Sequence, residues 1–136
     1  MDLQKIMEFR NRSNPYALRM GIRVSEIGAS WAKTEMTVTP EDLNPVAVPH
    51  GGVYFSLADI ACGCAVATQG YAAVTLNCSF SFLRSAKVGD VVTAEAAEVK
   101  SGRTVCVFDA RVTDQDGKLL ATGTFTFYKT EKKLDL

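Results

Sequence analysis

The sequence has a single histidine, a single tryptophan, four cysteines and no excess of either charge: 15 Lys and Arg stand against 15 Asp and Glu in 136 residues. Each scarcity excludes something. With zero formal net charge there is no electrostatic pull toward nucleic acid or an acidic membrane surface. Cys62, Cys64, Cys78 and Cys106 are too few and too scattered for a disulfide framework, and no CxxC pair is present. On a helix Cys62 and Cys64 would point about 200° apart and could not readily share a metal. They read as buried thiols in a reducing compartment. One His with dispersed carboxylates is a poor ligand set, so no metal is expected. The opening MDLQKIMEFRNR is charged throughout and lacks the apolar stretch of a secretory signal. The most apolar long segment, residues 51–68, contains Asp59 and is hardly long enough to span a bilayer. The expectation is one cytoplasmic domain over residues 1–136, with no repeat, no linker and no membrane contact.

The periodicity predicts the elements. An amphipathic segment (Leu3, Ile6, Met7, Phe9) ends before Asn14-Pro15, within a helical N-terminal portion covering residues 1–20. Residues 22–39 alternate in two runs. In the second, Trp31, Lys33, Glu35 and Thr37 lie opposite Ala32, Thr34, Met36 and Val38, as on a strand with one wet face. Three prolines between Pro40 and Pro49 mark a loop. From Val53 to Thr68 nearly every residue is apolar or small without alternation, which predicts a long helix buried all round. Ala61, Gly63, Ala65 and Ala67 suggest a very close neighbour. Four further strands follow, with hairpin chemistry at Lys100–Arg103 and Asp114–Lys118. In the first of the four, Val74, Leu76, Cys78, Phe80 and Phe82 face one way and Thr75, Asn77, Ser79 and Ser81 the other. Consecutive hairpins imply an antiparallel sheet, and a helix apolar on all sides needs that sheet to curl about it. The fold class is α+β: an antiparallel curved sheet of five to six strands wrapped around one long central helix.

Asp59 is out of place in that helix. Phe55, Leu57, Ala58, Ile60, Ala61 and Cys62 surround it, and the nearest side-chain partner by helical spacing is Ser56. A buried, unpaired carboxylate costs several kcal/mol in practice, and such groups gather at functional sites. The alternative is an Asp facing water at a gap in the sheet or bonding a nearby backbone group. His50-Gly51-Gly52 opens the same helix. A helix N-terminus presents free N–H groups and partial positive charge, and glycine lets a ligand oxygen approach the backbone. That suits an oxyanion hole, although an ordinary glycine-eased turn has the same sequence. The phosphate-binding patterns GxGxxG and GxxxxGKS/T are absent, as is the GxSxG nucleophile elbow.

Distance separates the two features. Eight residues of helix put Gly51 and Asp59 roughly 12 Å apart along the axis. Groups serving one carbonyl should be roughly 6–7 Å apart. The backward lean of the Asp side chain recovers part of the gap only. Two copies packed about a two-fold axis would bring Gly51 of one chain beside Asp59 of the other, and the small residues on the helix would permit that approach.

Asn44, the run from His50 through Asp59, and the run from Phe82 through Asp90 resemble the hotdog-fold acyl-CoA thioesterases, specifically the phenylacetic-acid-degradation (PaaI-type) branch. The pattern covers about residues 18–130, and an Asn followed by HGG-x-x-x-x-L-x-D is fairly specific. The resemblance implies hydrolysis of a small, aromatic-type (phenylacetyl-like) acyl-CoA to free acid and CoA. Asp59 would be the catalytic carboxylate, either a general base on water or a nucleophile forming a mixed anhydride. Gly51 would supply the oxyanion N–H, His50 would position that turn, and Asn44 would orient the thioester or the water. Thr75 would hold the attacking water beside Asp59. Thr75, Asn77 and Ser79 would line a cleft, or form a wet strand face. Gly52, Phe55, Arg84, Ser85, Lys100 and Arg103 are the substrate-binding candidates, the basic ones toward the phosphates of CoA. Leu43, Val46, Val48, Tyr54 and Phe55 are candidates for the acyl pocket or for the core. No cofactor is implied, because CoA belongs to the substrate. The implied assembly is a homodimer as the minimal active unit, pairing into a homotetramer. Two other readings stand beside this one: a non-catalytic acyl-CoA-binding module, and a hydroxyacyl dehydratase, which would need a His placed for proton abstraction.

Overall fold

The computed structural model describes residues 2–136. The chain begins with α1 (Leu3–Arg12), whose first turn is capped by Asp2 accepting from the N–H groups of Gln4 and Lys5. The N-terminal portion is two helices rather than one. Pro15 ends the first by excluding its neighbour from helical geometry, then occupies the first turn of α2 (Pro15–Met20). Asn14 caps α2 by accepting from the Ala17 N–H, and Gly21 closes it at φ 77°, a left-handed conformation open to glycine.

Strands β1 (Arg23–Gly28) and β2 (Trp31–Thr37) follow as a hairpin. The proline-rich loop contains one 3-10 turn and leads into α3 (Gly51–Ala67). The remaining strands are β3 (Tyr71–Phe82), β4 (Val91–Ser101), β5 (Val105–Thr113) and β6 (Leu119–Lys133). All six form one antiparallel sheet in the order β1-β2-β4-β5-β6-β3. Strand β3 forms one edge, because the crossover through α3 carries the chain past every other strand.

Helix α3 packs against all six strands. The close approach anticipated from its small residues is met within the chain. Ala58, Ala61 and Ala65 are fully buried, as are Ala32, Ala94, Ala96 and Ala110 of β2, β4 and β5. Small side chains on both surfaces let helix and sheet come together, so these alanines serve the sheet rather than a second helix. Phe108 and Phe125 fill the remaining space, each contributing about 1.5–3 kcal/mol by burial. The Thr34 hydroxyl donates to the Leu57 carbonyl at 2.7 Å and ties β2 to α3.

The helix is not buried all round. Gly52, Phe55, Asp59 and Gly63 recur at spacings of three and four and remain half-buried. The sheet wraps the rest of the helix and leaves this stripe open. At its far end Arg10 of α1 donates to the Gly63 carbonyl at 3.1 Å.

One irregularity changes the site. Thr75 pairs with Phe127, Asn77 with Thr126 and Cys78 with Phe125, so β3 advances two residues where β6 advances one. This β-bulge at Leu76 reverses the facing of β3. Thr75 therefore lies on the α3 side of the strand with Cys78 and Phe80, though it stays exposed where they are half-buried, while Asn77, Ser79 and Ser81 lie on the other side. The single polar row of Thr75, Asn77 and Ser79 expected from strict alternation does not exist. The latter two belong to a wet strand face.

Candidate active site

The cap of α3 is built by His50. Its backbone is extended (φ −59°, ψ 141°), and its Nδ1 accepts from the Gly52 N–H at 2.9 Å. The ring therefore has its Nδ1 lone pair engaged, and in the neutral form its proton sits on Nε2. A His so committed is badly placed to abstract a substrate proton, which removes the dehydratase reading. The Gly51 N–H, by contrast, has no acceptor among the described residues. It points from the first turn of the helix with the partial positive charge of the N-terminus behind it. A Cβ built on Gly51 would lie 3.0 Å from Phe82 Cε1, so glycine is what lets this ring lie against the turn.

Asn44 is fixed by its own loop. Its Oδ1 accepts from the N–H groups of Val46 (3.0 Å) and Val48 (3.3 Å), while its main chain bonds Val48 and Ala47. Asn44 and Gly51 share a cavity of about 430 Å³ with Val48, Tyr54, Arg84 and Ser85. The loop carrying Arg84 and Ser85 is held by Tyr54, whose hydroxyl accepts from the Ala86 N–H at 2.8 Å. Burial pushes the Tyr54 phenol above its usual range, and the Asp90 charge adds to the effect. Sequence reasoning gave Tyr54 only as a pocket or core candidate. Its hydroxyl role depends on a contact 32 residues away that periodicity does not reveal.

Asp59 lies on the open stripe of α3, half-buried rather than enclosed. Its partner is not Ser56, which instead bonds the Tyr16 hydroxyl at 2.8 Å. Thr75 on β3 donates to Asp59 Oδ1 at 2.6 Å, a contact created by the bulge. The second carboxylate oxygen has no protein donor among the described residues. Cys62 and Cys78 flank the carboxylate. Burial first, and the Asp59 charge second, raise both thiols, so they stay protonated and weakly nucleophilic.

The chain thus brings the named residues into two groups and not one. Asn44, Gly51, Arg84 and Ser85 meet at the start of α3, and Asp59 meets Thr75 two turns later. His50 and Gly52 face another cavity. Phe55 joins an aromatic cluster, with ring centroids 5.7 Å from Phe80 and 5.5 Å from Phe125. Lys100 and Arg103 lie at the β4–β5 turn, where Ser101 donates to Gln69 just beyond the other end of α3. Within one chain that turn and Arg84 are at opposite ends of the helix. Val46 is 75% exposed and lines neither cavity. No group of three or more His, Cys, Asp or Glu among the described residues is placed to hold a metal ion.

The thioesterase superfamily profile matches residues 48–121, which hold the α3 cap, Asp59, Thr75 and the Arg84 loop and make up more than half of the chain. The chain belongs to the thioesterase superfamily. Among its relatives is the acyl-coenzyme A thioesterase PaaI of Escherichia coli K12, 38% identical over 105 residues that cover 77% of this chain and 75% of PaaI. The solved structure of E. coli PaaI, from the phenylacetic acid degradation operon, superposes with a TM-score of 0.93 at 30% identity, covering 98% of this chain and 96% of PaaI. A hypothetical thioesterase from Streptococcus pneumoniae, solved with coenzyme A, is similar at a TM-score of 0.82 and 28% identity, covering 98% and 100% of the two chains. That protein has also been solved as an aspartate-to-alanine and a threonine-to-alanine variant, at positions sixteen residues apart. Asp59 and Thr75 have the same separation here. The fold is the hotdog fold of this superfamily, and the enzyme is a thioester hydrolase. No helix among the described residues is long and apolar enough to cross a membrane.

Proposed function

We propose that this thioesterase hydrolyses a small, aromatic-type acyl-CoA at a site completed by two copies of the chain. The observation that carries the reading is the Asp59–Thr75 pair on a helix whose first N–H, at Gly51, is unpartnered among the described residues. The thioester carbonyl oxygen accepts from Gly51, which stabilises the charge it gains when attacked. Asp59 supplies the attack, as general base toward a water that Thr75 steadies or as a nucleophile through a mixed anhydride. Asn44, fixed in the same cavity as Gly51, orients the thioester or the water. His50 keeps the turn in place, and Arg84 and Ser85 lie where the CoA arm leaves. Lys100 and Arg103 reach the CoA phosphates only if a second copy brings the β4–β5 turn near.

Both Gly51 and Asp59 are helical, so their axial separation is roughly 12 Å, about twice what one carbonyl allows. A two-fold partner supplies the missing half. Strand β3 is suited to that contact, being a 12-residue edge strand with Val74 and Leu76 exposed. The dimer is accordingly the smallest active unit, and a tetramer is two of them.

The test is Asp59→Asn, assayed by free-thiol release across aryl and short aliphatic CoA esters. Turnover should fall by about two to four orders of magnitude while CoA binding persists. Near-native turnover removes Asp59 from catalysis. Absence of hydrolysis of every ester by the unaltered protein favours the binding-module reading.

A further inference from the structure

Beyond the last turn of α3 a set of polar side chains meets on the inner side of the sheet. Ser101 donates to Gln69 Oε1 at 2.9 Å, and Lys129 Nζ donates to Ser101 Oγ and to the Gly102 carbonyl, each at 2.8 Å. A second β-bulge creates this cluster. Glu98 pairs with Phe108 and Lys100 with Val107, so β4 advances two residues where β5 advances one. Residues directly opposite on paired strands share a face. Ser101, opposite the buried Cys106, therefore lies on the α3 side, and Lys100, opposite Val107, on the outer side. Lys129 follows the buried Phe127 on the inner face of β6.

Lys129 is fixed but not neutralised. Both of its acceptors are uncharged, and a lysine has a third N–H to give. No carboxylate among the described residues lies within ion-pair distance of it. Glu98 instead accepts from Gln69 at 3.5 Å. The rotamer freedom that a lysine must give up to hold a ligand is therefore already lost in the folded chain. Lys100 and Arg103 are exposed and make no ion pair among the described residues, so they keep theirs.

In the two-copy site proposed above, Gly51 of each chain lies beside Asp59 of the other. Two neighbouring helices satisfy both pairings only when antiparallel. A CoA arm that leaves past Arg84, at the start of one α3, thus runs along the second half of the partner's α3 toward the partner's Gln69. Asp59 and Gln69 are roughly 15 Å apart along the helix. About thirteen bonds separate the thioester sulfur of CoA from its first phosphorus, also roughly 15 Å when extended. The way between them is open. A Cβ built on Gly63 would meet only Arg10 Nη1 at 3.5 Å and Phe127 Cε2 at 3.9 Å, which are ordinary contacts. Glycine weakens a helix relative to alanine, and its own chain does not demand one here; the space it leaves lies on the same open stripe as Asp59.

We infer that Lys129 of the chain supplying Asp59 binds the diphosphate of CoA, and that it makes the enzyme select the full coenzyme over its phosphate-free arm. This rests on the two-chain thioesterase reading above and adds a specificity-determining residue to it.

The experiment measures kcat/KM by free-thiol release for the acyl-CoA hydrolysed fastest in the ester panel and for the matching S-acyl-pantetheine, which lacks every phosphate. The unaltered protein should prefer the CoA ester. Lys129→Met should lower that preference about tenfold, as the loss of a charge-assisted hydrogen bond, through a raised KM for the CoA ester and with kcat/KM for the pantetheine ester unchanged. Lys118→Met, which removes a lysine from the β5–β6 hairpin, should leave the preference within about twofold. An unchanged preference in Lys129→Met overturns the assignment and leaves the thioesterase reading in place. An unaltered protein that handles the two esters alike does the same. Should Lys129→Met fail to fold by circular dichroism, Ser101→Ala decides, because it removes one of the two bonds holding Nζ. The preference should then fall about threefold, and an unchanged value overturns the assignment. No hydrolysis across the whole panel by the unaltered protein overturns the thioesterase reading and the role of Lys129 with it.

Discussion

Two lesions that each destroy activity should restore it when mixed, provided the site is shared between chains. The first is Gly51→Pro. His50 already has the extended backbone required before proline, and the first helical position tolerates proline because its N–H bonds nothing within the helix. The substitution removes the Gly51 donor, and Phe82 must yield only a few tenths of an ångström at its exposed edge. Loss of one oxyanion donor should cost about 10²–10³ in kcat. The second lesion is Asp59→Asn, which keeps the shape of the side chain and removes its charge. In a mixed dimer one site receives both lesions and is dead, whereas the other combines an intact Gly51 with an intact Asp59. Random reassociation makes about half of the dimers mixed, so an equimolar mixture should recover about a quarter of the unaltered activity. The assay is thiol release after dissociating and reassociating the two variants together, with each variant alone treated in parallel. A mixture no more active than its parts would refute the reasoning, because it would place donor and carboxylate in the same chain.

Three further outcomes follow from particular contacts. Thr75→Val preserves shape but removes the 2.6 Å bond to Asp59; kcat should fall about 10–100-fold, the worth of a hydrogen bond to a charged group, with the melting temperature little changed. Tyr54→Phe leaves the buried Ala86 N–H without its acceptor; denaturant titration should show a loss of about 1–3 kcal/mol, and KM should rise as the Arg84 loop loosens. Asp90 is held below the ordinary carboxylate range by the Lys87 N–H first and by the Gln115 side chain second. The folded state therefore binds fewer protons than the unfolded chain, so this stabilisation is complete above the ordinary aspartate value near 3.9 and is lost as pH falls through the lower folded value. Asp90→Asn should flatten that acid limb in thermal melts collected between about pH 2 and 5.

Much of this protein is decided by local sequence. Alternating Ala32, Thr34 and Met36 make β2 a strand with one buried face, Asn14-Pro15 both ends and begins a helix, and the apolar run after His50-Gly51-Gly52 makes a long helix whose only carboxylate is Asp59. Those patterns are local because helical and strand periodicities are set by neighbours a few residues apart. Which side chains meet was settled elsewhere. One extra residue at Leu76 put Thr75 on the α3 side, within reach of Asp59, where simple alternation assigned it to the opposite face. Ser56 went to Tyr16 of α2, 40 residues away in sequence, and Tyr54 went to the Arg84 loop. A bulge, a hydroxyl bond between two helices and a loop anchor each depend on chain segments that are distant in sequence, and such contacts leave no periodicity to read. Residue spacing along α3 separates the Gly51 N–H from the Asp59 carboxylate; only the folded structure shows the long free edge of β3 and the open stripe around Asp59 on which the proposed shared site rests.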